Sequence, residues 1–201
     1  IKGSNDNRNI NFAASVYYSA FENYIVGIVD PTLTRKFMPT RLPINPKVFR
    51  NLNNAYKTGF EAMTQINFLK DYYFKGEVAY VYAKNKDLNE SLPLTPPFKT
   101  KFTVGVKKPK YWANIQFNLT SEQENIAPSF GETKTNGYQT VDLRLGFNPL
   151  KNTSVGFAIL NAFDAYYHNH LNFSFANQSN FGITPITEPG RNITAFLQYN
   201  F

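Results

Sequence analysis

The chain closes on a ladder in which Ile193, Ala195, Leu197, Tyr199 and Phe201 alternate with Asn192, Thr194, Phe196, Gln198 and Asn200. A period of two puts the first set on one face of an extended strand and the second on the other. One face is oily and the other mostly polar. In a soluble sandwich the oily face would meet a second sheet. In an outer-membrane barrel it meets lipid, and the polar face lines the lumen. The aromatic final residue favours the membrane alternative. Leu197, Tyr199 and Phe201 read as the C-terminal signal presented to the barrel-assembly machinery.

No stretch approaches the roughly 20 apolar residues that a spanning helix needs. That excludes a helical membrane protein but not a barrel, whose strands are only half apolar. A net charge of +7 and a mean hydropathy of −0.39 are compatible with such strands. Thirteen Tyr and nineteen Phe supply the aromatics that barrels place in two interfacial girdles. With no Cys, disulfides, thiol catalysis and Cys-based metal sites are excluded. The cations are scattered, often near turns (Lys70, Lys107, Lys108, Lys110, Lys151), and no nucleic-acid module accompanies them, so nucleic acid is not an expected partner. Residues 1–8 lack the layout of a signal peptide. A barrel must be exported, so the chain is expected to be mature or the back part of something longer.

About eight strand-like segments follow from the alternation, near 10–28, 54–68, 72–83, 100–107, from 111, around 141–147, 153–160 and at the end. The first sets Phe12, Ala14, Val16, Tyr18 and Ala20 on one face, and the fifth sets Ala113, Ile115, Phe117 and Leu119 against Asn114, Gln116, Asn118 and Thr120. Their connections alternate in length. Leu69-Lys70-Asp71, Lys108-Pro109-Lys110 and 148–152 are short and carry turn residues. The connections near 29–53, 84–99, 121–136 and 161–190 are long. Short periplasmic turns and long extracellular loops are the rhythm of an up-and-down membrane barrel, and every connection falls in phase if the last strand runs down to a periplasmic Phe201. Phe68, Tyr72, Tyr111, Phe147 and Phe201 fall beside the short turns and form the expected lower belt.

Glu61, Glu77, Asp142 and Arg144 fall on the polar faces and read as solvated or paired wall residues. Nothing in the spacing holds Glu77 and Asp142 at the separation a hydrolytic carboxylate pair needs, so no catalytic residue is assigned. His168 and His170 are the only histidines. An extended H-x-H would place both rings on one side. No third ligand adjoins them, so they read as a loop segment packing at the barrel rim, and neither a metal site nor a cofactor is assigned.

Five stretches together resemble the TonB-dependent outer-membrane receptors. Residues 161–171, Asn-Ala-Phe-Asp-Ala-Tyr-Tyr-His-Asn-His-Leu, resemble their N-L-F-(D/N)-x-x-Y-x-x-H-L segment, with Ala162 where Leu is usual. Glu188-Pro189-Gly190-Arg191 before the last strand resembles their closing box. Thr58-Gly59-Phe60-Glu61-Ala62, Leu94-Thr95-Pro96-Pro97 and the strand from Gly137 to Arg144 resemble their G-x-E, proline-loop and Y-x-x-(V/L)-D-L-R elements. The resemblance implies an all-β, antiparallel, up-and-down transmembrane barrel of 22 strands, of which this chain would be about the last eight, fifteen to twenty-two. Residues 1–201 would form one C-terminal barrel portion, without the plug or the TonB box.

The implied role is energy-coupled import of a scarce nutrient across the bacterial outer membrane, not catalysis. An iron–siderophore complex leads, with cobalamin, copper chelates and glycans as other cargoes of the family. Implied partners are the TonB–ExbB–ExbD complex through the N-terminal part, the barrel-assembly machinery, outer-membrane lipid and lipopolysaccharide. Candidate ligand contacts in the long loops are Arg35, Lys36, Arg41, Tyr167, His168, His170 and Arg191, whose cations and aromatics suit an anionic, aromatic chelate. Pro189 and Gly190 are turn formers, so the closing box is expected to order the loop-to-strand corner. Two alternatives stand beside this reading: a complete eight-stranded outer-membrane barrel in adhesion or as a surface enzyme, and a soluble carrier with its oily faces turned inward.

Overall fold

The computed structural model describes residues 1–5, 9–34, 36, 45–172, 174–176 and 183–200. In chain order its strands are β1 (Lys2–Ser4), β2 (Ile10–Phe21), β3 (Tyr24–Val29), β4 (Lys47–Leu52), β5 (Ala55–Phe68), β6 (Tyr72–Asn85), β7 (Glu90–Ser91), β8 (Lys99–Lys107), β9 (Tyr111–Thr120), β10 (Tyr138–Leu150), β11 (Thr153–Leu160), β12 (Ser174–Ala176), β13 (Ile183–Pro185) and β14 (Asn192–Tyr199). A single 3-10 turn, Pro128–Phe130, is the one helical element among the described residues. One sheet runs β1-β2-β5-β6-β8-β9-β10-β11-β14, with β7 appended to β6. Every pairing is antiparallel between strands that follow one another along the wall. Eight long strands therefore form a meander, and β1 adds a short ninth at one edge. Among the described residues the order ends at β1 and β14, so the sheet is open.

Register carries one oily face across the whole sheet. Ile115 stands between Val104 and Leu143, Leu143 pairs with Ile159, and Ile159 pairs with Ile193. Phe117 stands between Phe102 and Val141 in the same way. Val104, Ile115, Phe102, Phe117 and Ile193 are exposed and Val141, Leu143 and Ile159 half-buried, and none of the buried apolar residues comes from this face. A wall this apolar and this uncovered suits lipid, where burial comes from the bilayer rather than from a second sheet. The aromatics close the band at both ends. Phe68 stacks on Tyr72 and Tyr111 pairs with Phe147 beside the short turns, while Tyr18 stacks on Tyr56, which leans on Tyr82, at the other end. Phe201, the last member expected in the lower belt, lies outside the described residues.

The opposite face is polar and close-fitting. Trp112 lies on Gly146 and Tyr73 on Gly105, each directly across the ladder; a Cβ on either glycine would sit 2.6 Å or 2.5 Å from the ring. A flat aromatic over a bare backbone fills the concave side of a curved sheet, where two side chains would collide.

Strand boundaries depart from the alternation in three places. The first strand, expected over 10–28, ends at Phe21. Asn23 takes a left-handed φ of 58° and turns the chain out of the wall, and 24–29 pair with β4 instead. Alternation runs on through the turn because Tyr24, Val26 and Ile28 also need an apolar face, which the loops supply. The long connections at 29–53 and 161–190 are not strandless: they hold β4 of the β3–β4 hairpin and the whole β12–β13 hairpin. β10 runs to Leu150, through Pro149, with an irregular register between Phe147 and Leu150. A proline that cannot donate to the ladder is tolerated at such a bulge.

Consecutive β5 residues test the two faces. In the full-length protein, Ala62→Arg on the outward face should cost about 2–4 kcal/mol of bilayer folding free energy, whereas Glu61→Arg on the inward face should cost little. Urea unfolding from phospholipid vesicles measures both; equal costs would sink the face assignment.

Candidate functional site: a roofed lumen rim

All four long connections leave the wall at the same pole, and the chain's only buried apolar cluster among the described residues lies there. Val26, Leu52 and Leu92 from the connections meet Ala55 and Ala83 at the inward ends of β5 and β6, with Phe21, Tyr24, Ile28 and Phe130 packed around them. Leu92 is wholly buried. The Lys47 ammonium sits 3.2 Å from the centre of the Phe130 ring. Burial holds that lysine below the ordinary range, with Glu132 pulling the other way. The loops thus carry the hydrophobic core that the lipid-facing wall lacks.

Polar ties join the loops to one another. The Glu132 carboxylate accepts the Leu94 and Ala127 N–H groups. Glu90 accepts the Ser129 N–H at 3.1 Å and also its hydroxyl. Gln123 donates to the Thr95 carbonyl at 2.9 Å. Apart from the Ser129 hydroxyl bond, each satisfies a backbone group that a loop would otherwise leave unpaired.

The last long connection is anchored by two short side chains. Asn161 has a φ of 49° and Asp164 a φ of 57°, a region that Asn and Asp enter more readily than most residues. The Asn161 amide donates to the Ala165 carbonyl at 2.8 Å and its Oδ1 accepts the Ala165 N–H at 2.9 Å. Asp164 Oδ1 accepts the Arg191 N–H at 2.7 Å, and Gly190 lets the carboxylate approach. Glu188 donates its N–H to the Tyr167 carbonyl at 3.0 Å, and its carboxylate accepts from Asn172. The segment from Asn161 and the closing Glu-Pro-Gly-Arg box are therefore one interlocked corner.

Asp142 ties this corner to the wall. Its Oδ1 accepts the Asn161 N–H at 3.0 Å, and its Oδ2 meets Arg144 at 2.8 Å and Asn118 at 3.3 Å. Glu77 is separately paired with Lys75 at 2.9 Å. Three strand spacings, about 14 Å, separate the lines of β6 and β10, so the two carboxylates do not form a hydrolytic pair.

Below the corner a cavity of about 370 Å³ opens on the inward face. Lys99 and Lys101 line one side; Asn118 and Asp142 line the other; Tyr138, Tyr167 and Glu188 complete it. Tyr138 and Tyr167 stack with centroids 4.1 Å apart. Burial pushes the Tyr167 phenol above the usual tyrosine range, with Tyr138, Glu188 and Asp142 adding to it. This is a polar, cation-bearing recess with an aromatic wall, suited to holding a ligand rather than to cleaving one.

The expected contact residues separate. Tyr167 lines the recess. His168 is half-buried, whereas His170 is buried, its Nδ1 3.1 Å from the Thr135 hydroxyl. Arg191 is exposed beside the corner, and Lys36 is exposed in a bend of the first long connection, between β3 and β4. Arg35 and Arg41 lie outside the described residues. Leu197 and Tyr199 stand exposed on the outward face of β14. Lys99, Lys101, Tyr138 and Glu132 do not stand out in the sequence. The first three fall at strand ends, where alternation marks a face but not a recess, and Glu132 is one carboxylate in an irregular loop. Among the described residues no cluster of His, Asp and Glu has the makings of a metal site.

The fold and its roofed rim define a wall segment of an up-and-down membrane barrel with loops gathered over the lumen. The family model "TonB dependent receptor-like, beta-barrel" matches residues 2–162, and the chain belongs to that family. No curated protein matches the sequence. Similar solved structures include the copper transporter OprC (20% identity, TM-score 0.86), the ferric yersiniabactin uptake receptor FyuA from Yersinia pestis (13%, 0.70) and the ferric enterobactin receptor PfeA from Pseudomonas aeruginosa (16%, 0.70). Each covers 100% of this chain, and the chain spans 28–30% of their lengths. At these identities the likeness is one of fold.

Asp164→Ala should release the corner at a local cost of about 1–2 kcal/mol. Hydrogen exchange at the Arg191 amide should quicken accordingly, while the β9 amides stay unchanged.

Proposed function

We propose that this chain forms the last eight strands, with the short β1 beside them, of a 22-stranded TonB-dependent receptor that imports a scarce nutrient through the outer membrane of a Gram-negative bacterium. The cargo we favour is an anionic metal chelate of the iron–siderophore kind. The observation behind this choice is the recess itself: Lys99 and Lys101 face a stacked tyrosine pair beneath an ordered loop roof. Cations attract carboxylate, catecholate or hydroxamate oxygens, and tyrosine faces suit the flat parts of such ligands. Tyr167 is a wall residue of that recess, and Arg191, His168, Lys36, Arg35 and Arg41 are candidate contacts from the surrounding loops. His170 acts from within the roof.

The receptor would draw its energy from the TonB–ExbB–ExbD complex through an N-terminal part outside these 201 residues. The barrel-assembly machinery would read Leu197, Tyr199 and Phe201, and lipid and lipopolysaccharide would surround the outward face. Its work is binding and passage, with no bond of the cargo broken. Copper chelates remain within the same reading, because the recess selects for anionic oxygens around the metal rather than for one metal.

The test is uptake. Deleting the full-length gene should abolish growth on one ferric or cupric chelate as sole metal source, and replacing Lys99 and Lys101 together by Glu should weaken binding of that chelate by roughly tenfold or more. Isothermal titration of the purified receptor reads the second effect. Normal growth of the deletion strain on every anionic chelate, with undiminished binding by the double variant, would overturn the proposal. A native protein of about 23 kDa in the outer membrane would instead favour the small complete barrel.

A further inference from the structure

The pole opposite the loops is a row of cations. Lys70 lies in the turn between β5 and β6, Lys107, Lys108 and Lys110 at the turn between β8 and β9, and Lys151 in the turn between β10 and β11. Asp71 is the one carboxylate in these three turns. Lys108 is half-buried and the other four lysines are exposed. Among the described residues none of the five is ion-paired.

The cations stand on a rigid ledge, because the ladder runs on into the turns. The Lys107 N–H donates to the Asp71 carbonyl at 2.7 Å, and the Asn148 N–H donates to the Lys110 carbonyl at 2.8 Å. The Asn148 amide also donates to the Pro109 carbonyl at 3.1 Å. Each turn is thereby bonded to the next, and neighbouring hairpins are held about 10 Å apart, two strand spacings.

The ledge is oily as well as charged. Leu69 precedes Lys70 and is 79% exposed; Leu150 precedes Lys151 and is 68% exposed. Between them, the Lys108 ammonium lies 5.5 Å from the centre of the Tyr111 ring, on the outward aromatic belt. The Tyr111 phenol holds that ammonium above the ordinary lysine range, with Tyr72 and Asp71 adding to the effect and slight burial opposing it. Apolar side chains, phenols and ammonium groups on one ledge match the boundary between acyl chains and headgroups.

We propose that this ledge binds the phosphodiester headgroups of anionic phospholipids in the leaflet around the short-turn pole, with Lys108 at its outward edge and Lys70, Lys110 and Lys151 beside it. The inference goes beyond import and rests on the receptor reading only in setting the wall in a bilayer. Lysine ammonium groups make charge-assisted hydrogen bonds to phosphate oxygens. A zwitterionic headgroup brings its own ammonium, for which the ledge offers only Asp71, so the ledge selects net negative charge. An acidic soluble protein would pair with the lysines but leave Leu69 and Leu150 without an apolar cover.

Quenching by brominated lipid tests the site without any import assay. The full-length receptor carries a bimane at Val104→Cys, an exposed outward position about 13 Å along β8 from Lys108. It is placed in phosphatidylcholine bilayers with a minor share of phosphatidylglycerol. The bromines sit on the phosphatidylglycerol chains in one sample and on an equal share of the phosphatidylcholine in the other. Phosphatidylglycerol should be preferred beside the label by roughly threefold to tenfold, given what each lysine near a membrane surface contributes. The preference should fall towards one in roughly 1 M salt, where the screening length is about 3 Å. Exchanging Lys107, Lys108 and Lys110 together for Gln should reduce it to under about twofold, and Lys108→Gln alone should at least halve it. Lys86→Gln, at the loop pole, should leave it unchanged. Equal quenching by the two lipids in the unmodified ledge overturns the site and returns the cations to solvent or to an acidic protein. A preference that survives the triple exchange also overturns it. Should the triple variant fail to assemble, an undiminished preference in Lys108→Gln overturns the site and a halved one supports it. Quenching by neither lipid would overturn the membrane wall itself, whereas equal quenching with normal chelate uptake removes the lipid site and leaves the receptor reading intact.

Discussion

Everything in this molecule depends on the unbroken antiparallel ladder from β1 to β14. In hydrocarbon no water satisfies a backbone N–H or C=O, so each strand must take its partners from its neighbours. The ladder fixes the register, and the register fixes which side chains meet lipid. Because the side-chain period is two, a slip of one residue in any pair would turn Lys, Asp and Asn outward and Phe, Ile and Leu inward. The ten successive pairs from Tyr138–Thr120 to Phe147–Tyr111 show how long one register is kept.

The wall then transfers its packing problem to its two other surfaces. On the inward side, flat rings lie on glycines, Trp112 on Gly146 and Tyr73 on Gly105, and ion pairs such as Asp142–Arg144 stay along the strands. At the loop pole, apolar residues that could face neither lipid nor water gather around Leu92. Asp142 belongs to both surfaces: it pairs with Arg144 in the wall and holds Asn161 at the head of the last loop.

Much of this was legible in the residues, for a physical reason. Alternation is enforced wherever one face meets lipid, so β5, β6, β8, β9, β11 and β14 could be read within a few residues of their ends, as could the short–long rhythm of their connections. The break at Asn23 was not legible, because β3 alternates as β2 does while serving the loop core instead of the wall. The role of the closing Glu-Pro-Gly-Arg box as a corner was legible from Pro189 and Gly190; its lock, Asp164, lies 27 residues before Arg191, and only folding brings the two together. Glu132 is the extreme case. It sits in a segment with no period, and its meaning comes wholly from Leu94, Ala127 and His170 in three dimensions.

The most direct test of the account is a nitroxide scan of β9, residues 111–120, in the full-length receptor embedded in a bilayer. Odd positions from Tyr111 to Leu119 should be reached by oxygen dissolved in the hydrocarbon, and even positions from Trp112 to Thr120 should not, giving a period of two along the strand. The same alternation with the two sets exchanged, or no alternation at all, would contradict the claim that this sheet is a membrane wall with its oily face outward.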